Sequence, residues 1–172
     1  MLAYKVDAKP IDWTNKVYMQ PKLDGVRCLI QLNDKGEVYA YSRTGKPWLN
    51  IAYILESLKP WFEFHPDIIL DGELYNHDLR DDFEKIISLV RKTKPTAEDR
   101  LEASKLTQFH CYDIIDEELP FDQRIEFVNE AFSNICPSIY IVDTSRVYDA
   151  DHAKRVHELV NLDDGYEGSI NI

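Results

Sequence analysis

Two strand-like runs, Val17 to Met19 and Arg27 to Leu32, flank a segment in which Pro21 and Gly25 bracket Lys22 and Asp24. This punctuation constrains the fold more than any other stretch, because it predicts two strands joined by a tight turn. Pro21 lacks a ladder donor and fixes its own φ, so pairing is expected to break just before Lys22. The turn would then hold Lys22, Asp24 and Arg27 close together. Gly25 has no Cβ and leaves room for a phosphate or another backbone. A lysine at such a break is expected to lose hydration. Burial lowers a lysine pKa from its reference of about 10.4 and frees a neutral amine to act as nucleophile. An exposed hairpin turn with ordinary surface charges accounts for the same residues, since Lys, Asp and Gly all favour turns.

The remaining chain predicts strands interleaved with helices. Asn33-Asp34-Lys35-Gly36 is a turn signal, and Glu37 to Ser42 alternates as a half-buried strand. Ser42-Arg43-Thr44-Gly45 follows as a basic turn. Asn50 is expected to cap a helix to about Leu58, ended by Pro60. Asp67 to Tyr75 reads as a buried strand carrying Asp71 and Glu73 around Gly72; such charges need a cation, a hydrogen-bond network or a ligand. Leu79 to Lys92 is an amphipathic helix with Asp81 and Asp82 in its first turn. Residues 93–106 read as a mobile insertion with a short helix from Thr96. Gln108 to Ile115 is a strand with Phe109, Cys111 and Asp113 facing one way and His110, Tyr112 and Ile114 the other. Pro120 opens a helix to about Phe132, Ile139 to Val147 is a strand, Asp149 caps a helix to about Leu162, and Tyr166 to Ile172 forms a last strand. The pattern predicts an α+β fold of mainly antiparallel sheets sandwiched by helices.

A chain of 172 residues suits one substantial core rather than two, and 44% hydrophobic with 30% charged residues is a globular balance. No apolar run approaches membrane-spanning length and no leader follows Met1, so a soluble, intracellular protein without membrane association is expected. Cys28, Cys111 and Cys136 lack C-x-x-C spacing and read as reduced thiols. His65, His77, His110, His152 and His157 lack ligand spacing and read as surface or packing residues. The net charge of −11 repels phosphate backbones. Any grip on nucleic acid must therefore be local or come from a part not present here.

Lys22-Leu23-Asp24-Gly25-Val26-Arg27 resembles the K-x-D-G-x-R signature of covalent nucleotidyltransferases, which include ATP-dependent DNA ligases, RNA ligases and capping enzymes. Further elements follow in the order of a DNA ligase. Ser42-Arg43-Thr44-Gly45 is similar to S-R-x-G, and Asp71-Gly72-Glu73 to D-G-E. Tyr112-Asp113-Ile114-Ile115, trailed by Arg124, resembles the element whose ring stacks on adenine, and Tyr166-Glu167-Gly168 resembles E-G.

The resemblance implies an ATP-grasp-like ligase adenylation domain over residues 1–172. It makes Lys22 the nucleophile that carries AMP, with ATP and Mg²⁺ as cofactors. Glu73 would hold ribose hydroxyls or the metal, Glu167 the metal, and Tyr112 and Ile170 the two faces of the base. Gln20 would read the adenine edge, Arg27 a ribose or terminal phosphate, and Arg43 the backbone of nicked duplex DNA. A monomer is expected. The sequence also departs from the pattern: Asn171 is polar where the family is apolar, and Ile172 stands where Lys or Arg belongs. The K-x-K element and the C-terminal OB-fold do not occur in these residues, so weak or no activity of the chain alone is expected. The alternatives are an RNA ligase or capping-type nucleotidyltransferase, or a non-catalytic nucleotide- or protein-binding module.

Overall fold

Strand β2 (Val26–Leu32) buries Cys28 and Ile30 completely and leaves Arg27, Leu29 and Gln31 half-buried on its other face. That alternation organises the larger of two compact units, Asp24–Val142; the other comprises Met1–Leu23 and Asp143–Ile172. The structure, a computed structural model, describes residues 10–132, 137–160 and 165–172. Cys136 and the predicted end of the last helix near Leu162 lie outside these residues.

The larger unit is built on a five-stranded sheet in the order β3-β2-β4-β5-β6, with β3 at Val38–Tyr41, β4 at Leu70–Tyr75, β5 at Gln108–Ile114 and β6 at Ile139–Ile141. Pairing is antiparallel except between β5 and β6, which run parallel. One face carries Cys28, Ile30, Ala40, Leu70, Leu74, Phe109, Cys111 and Ile114 into the core. There they meet Ile54, Leu58, Trp61 and Phe62 of helix α1 (Ala52–Phe64), Ile86 and Val90 of α2 (Phe83–Val90), and Ile125 and Val128 of α4 (Phe121–Phe132). The opposite face presents Arg27, Leu29, Asp71 and Glu73, which the register aligns.

Several expectations are corrected here. Pro60 lies inside α1 rather than ending it. An interior proline costs about 3 kcal/mol, but Trp61 and Phe62 beyond it are buried, and burying such side chains gains roughly 1.5–3 kcal/mol each. Asn50 does not cap that helix. It is buried, and its Nδ2 donates to the carbonyls of Leu89 (2.9 Å) and Asp99 (3.3 Å), tying the start of α1 to its neighbours. Helix α2 begins after a short 3-10 turn, His77–Leu79, because Asp82 caps it by accepting from the Lys85 amide. The expected mobile insertion holds helix α3 (Ala97–Leu106), started by a capping box between Thr96 and Asp99 and joined to α2 by the Lys85–Glu102 ion pair at 2.5 Å.

The smaller unit is an antiparallel three-stranded sheet, β7-β1-β8, formed by β1 (Val17–Lys22), β7 (Ser145–Val147) and β8 (Gly168–Asn171). The predicted strand from Ile139 to Val147 is thus two strands in two sheets. Val17, Met19 and Val147 form a small core with Ala153 of α5 (Ala150–Glu158), against which Ile11, Trp13 and Val156 pack. Asp149 caps α5 by accepting from the His152 amide, as its sequence predicts.

The expected hairpin at Lys22 is also corrected: β1 and β2 belong to different sheets, and the chain passes between sheets at this point. Pairing does not stop before Lys22. Pro21 lies opposite Ser169 and Lys22 opposite Gly168. The hydrogen bonds between Tyr18 and Ile172 show that even-numbered residues of β1 point their amides at β8. Pro21 therefore turns its donorless nitrogen toward the β7 side, where pairing has already ended at Met19. A proline is compatible with a ladder at such an edge position.

Candidate active site

In the smaller unit, Lys22 Nζ donates to Glu167 Oε2 across β1 and the start of β8. Neither side chain is dry: Lys22 is 43% exposed and Glu167 51%. The expected desolvated lysine is thus replaced by one held through an ion pair, because Lys22 is the last residue of its strand. Gln20, two residues earlier on the same face, is only 4% exposed and donates from Nε2 to Thr144 Oγ1 at 2.9 Å. Ile170 lies directly opposite Gln20 on β8. The strand register brings Lys22, Gln20 and Ile170 into one sheet, and the ion pair holds Glu167 at its edge. Asn171 lies opposite Met19, and its Oδ1 is buried without a hydrogen-bond partner. Such an orphaned acceptor costs roughly 1–3 kcal/mol.

In the larger unit, Arg27 lies opposite Glu73 and makes a bidentate pair with Asp71: Nε to Oδ1 at 2.9 Å and Nη2 to Oδ2 at 2.5 Å. Asp71 is 8% and Arg27 23% exposed at the side chain. The hydrogen bonds to Asp71 push the Arg27 pKa up, so the guanidinium stays charged. One fork of Arg27 is consequently engaged by protein. Asp71 is the residue that sequence reasoning left without a role. The signal for it was the buried strand's need for a cation, and Arg27 is that cation.

Tyr112 is placed by a β-bulge. The register pairs Gly72 with Cys111 but Asp71 with Asp113, leaving Tyr112 as the extra residue of β5. The bulge also overturns the predicted facing, since Ile114 joins Phe109 and Cys111 in the core. Burial, reinforced by the negative charges of Asp71 and Glu73, pushes the Tyr112 pKa up, so its hydroxyl remains protonated. Arg124 secures the end of β5 by a bidentate pair with Asp113, at 2.8 and 2.9 Å, and by donating to the Leu119 carbonyl at 2.7 Å.

Two of the motif glycines, Gly25 and Gly72, are sterically required. A Cβ at Gly25 would lie 2.5 Å from the Leu74 carbonyl oxygen and 2.6 Å from Glu73 Cγ. The room predicted at Gly25 is thus occupied by another backbone. A Cβ at Gly72 would lie 2.5 Å from the His110 carbonyl oxygen and 2.6 Å from the Phe109 ring. Arg43 is exposed on the turn after β3, closed by hydrogen bonds between Ser42 and Lys46 and between Gly45 and Ser42. The register places this turn at the Arg27 end of β2. A groove of about 670 Å³ elsewhere in this unit, lined by Leu32, Val38, Leu55, Phe62 and Pro66 among others, contains none of these residues.

Among the described residues, no group of three or more His, Cys, Asp or Glu side chains could hold a metal ion by itself. Glu73 and Glu167 nonetheless have suitable chemistry for Mg²⁺, which takes one or two carboxylates and completes its shell with water and substrate phosphates. No described helix is long and apolar enough to cross a membrane.

The family model described as "ATP dependent DNA ligase domain" matches residues 1–171. A DNA ligase of African swine fever virus (isolate Pig/Kenya/KEN-50/1950) is 28% identical over 157 residues, covering 88% of this chain and 35% of the viral protein. Among solved structures, "Pmar-Lig_Pre." superposes with a TM-score of 0.74 at 22% identity, covering 99% of this chain and 41% of that one. The ATP-dependent DNA ligase from bacteriophage T7, in complex with ATP, gives 0.64 at 18% identity, covering 91% and 56%. At these identities the structures speak for the fold. The chain spans about a third to just over half the length of these relatives.

Proposed function

The chain belongs to the ATP dependent DNA ligase domain family, and on that premise we propose that residues 1–172 act as an adenylation domain whose nucleophile is Lys22. The Nζ–Pα bond forms while the bond from Pα to the pyrophosphate oxygen breaks, and pyrophosphate leaves with that electron pair. The product is lysyl-AMP, whose AMP then passes to a 5′-phosphate at a nick in duplex DNA. The observation that carries this reading is the Lys22–Glu167 pair, formed on the same sheet as Gln20 and Ile170. Glu167 orients the amine and is within reach to take its proton.

Attack on an α-phosphate demands positioning and charge neutralisation above all. Bound Mg²⁺ would supply that neutralisation, and the carboxylates of Glu73 and of Glu167 are each suited to it. In the smaller unit Ile170 offers an apolar face to adenine and Gln20 meets the base edge, while in the larger unit Tyr112 offers an aromatic face suited to stacking. Arg27, oriented by Asp71, is the guanidinium for ribose or phosphate, and Glu73 the carboxylate for ribose hydroxyls. Arg43 contacts the DNA backbone, and the domain works as a monomer.

The test is incubation with ATP labelled at the α-phosphate, with Mg²⁺, beside Lys22→Ala. At most weak covalent label on the chain, lost in Lys22→Ala, is the expected result. Label surviving that substitution would move the nucleophile elsewhere. Preferential labelling by GTP would point to a capping-type enzyme.

A further inference from the structure

The groove of about 670 Å³ in the larger unit is lined by none of the residues of the candidate active site. Its volume falls within the roughly 300–1,000 Å³ of ordinary ligand sites. One wall is helix α1, whose Ile54, Leu58 and Trp61 pack into the core. The groove-lining residues of that helix, Ala52, Leu55, Glu56, Lys59, Phe62 and Glu63, recur at helical spacing as a second stripe beside the core one. The opposite wall is the turn end of the β2–β3 ladder, where Leu32 pairs with Val38. Leu32, Val38 and Leu55 are half-buried against the core, and Phe62 is 1% exposed. The floor is thus apolar and backed by the core.

The charges stand on the rim. Glu37, Glu56 and Glu63 are exposed there with a single cation, Lys59. Glu56 holds that cation through both carboxylate oxygens, at 2.7 and 2.6 Å. Three carboxylates against one ammonium leave an excess of two negative charges. An apolar centre inside a polar rim is the anatomy of a protein contact, whereas a small-molecule site gathers a few polar groups within the pocket.

We propose that this groove docks a short segment of a partner protein in which apolar side chains are flanked by Lys or Arg. The apolar side chains take the floor formed by Leu32, Val38, Leu55 and Phe62, and the cations meet Glu37 and Glu63. Charge complementarity of this kind sets partner choice, because an acidic partner is repelled at the rim. A nucleic acid would bring phosphates to three carboxylates. A second copy of this chain carries the same net charge of −11 and is repelled as a whole.

The test selects random peptides displayed on phage against the immobilised chain, then titrates the enriched peptides, synthesised with a fluorescent label, by anisotropy. These peptides should combine apolar residues with Lys or Arg. Leu55→Lys puts a charge into the floor and should weaken them by roughly tenfold or more, the loss typical of a central contact. Leu55→Met keeps the apolar wall and should bind as the wild type does. Ala52→Arg, at an exposed position of the same stripe, charges the groove without touching the core and should also weaken binding. Glu63→Lys should weaken it roughly threefold in dilute salt and less as salt is added. Acidic or uncharged peptides, peptides indifferent to both Leu55→Lys and Ala52→Arg, or no enrichment at all overturn the inference. So does self-association of the wild-type chain that the same two substitutions abolish, which makes a second copy the occupant. None of the substituted residues belongs to the candidate active site, so each of these outcomes leaves the ligase reading standing.

Discussion

At the scale of single residues, His110 shows what burial does to a side chain that carries no assigned chemistry. It stacks on Tyr140 at 4.9 Å, meets the edge of Tyr75 at 5.3 Å, and its Nε2 lies 3.0 Å from Gln108 Oε1. Burial, with a smaller push from His77, lowers its pKa from 6.5 to about 4. Between those values the unfolded chain binds a proton that the folded chain refuses. The contribution is neutral above pH 6.5 and turns destabilising as pH falls toward 4, by up to roughly 1.4 kcal/mol per unit. Urea unfolding at a series of pH values should therefore show stability falling across that window, with a shallower fall in His110→Gln. Equal slopes for the two proteins would show that acid sensitivity arises elsewhere. Of the two sequence readings of His110, surface or packing, these contacts fit the second. Its consequence was not legible, because partners such as Tyr75 and Tyr140 come from other strands.

At the scale of elements, residues were easier to read than partners. The strand β2, the alternation of β3 and the turn at Asn33–Gly36 were legible because their determinants are local. The β1–β2 hairpin was misread because proline was weighed as a strand breaker. The β7–β1–β8 order, in which Pro21 turns its nitrogen to an unpaired edge, depends on strands more than 120 residues away. Within the candidate site, Lys22, Asp71, Glu73 and Glu167 were recognisable by motif, whereas the pairing of Arg27 with Asp71 emerged only from the structure. Gly72 joins the two kinds of information. Its motif names it, but the reason for it is the 2.5 Å approach a Cβ would make to the His110 carbonyl, beside the bulge at Tyr112. That obstacle is backbone and cannot swing aside. Gly72→Ala should cost about 3 kcal/mol or more, because β4 and β5 must separate where they hold Asp71 and Tyr112. Gly36→Ala, at φ 74° with nothing near its Cβ, should cost only about 1–2 kcal/mol. Denaturant midpoints for the two variants test this ordering, and a Gly72→Ala chain as stable as Gly36→Ala would show that the strands adjust freely.

At the scale of the whole molecule, charge sets the terms for any encounter with DNA. With 20 Lys and Arg against 31 Asp and Glu, a duplex meets net repulsion that weakens as salt is added. Much of the basic charge is also spent within the fold: Arg27 on Asp71, Arg124 on Asp113, Lys85 on Glu102 and Lys92 on Asp99. Arg43 differs in placement, standing exposed at the tip of a closed turn. A cation so placed can meet a phosphate without first giving up a buried partner. Each phosphate neutralised adds roughly 0.9 to the slope of log affinity against log salt on duplex DNA. Arg43→Ala should therefore weaken binding of a nicked duplex and reduce that slope by about one, while ATP affinity stays within twofold of wild type. Anisotropy titrations of labelled nicked DNA over a range of salt, beside nucleotide titrations of the same two proteins, measure both quantities. A fall in ATP affinity with an unchanged salt slope would place Arg43 at the nucleotide and remove its proposed contact with DNA.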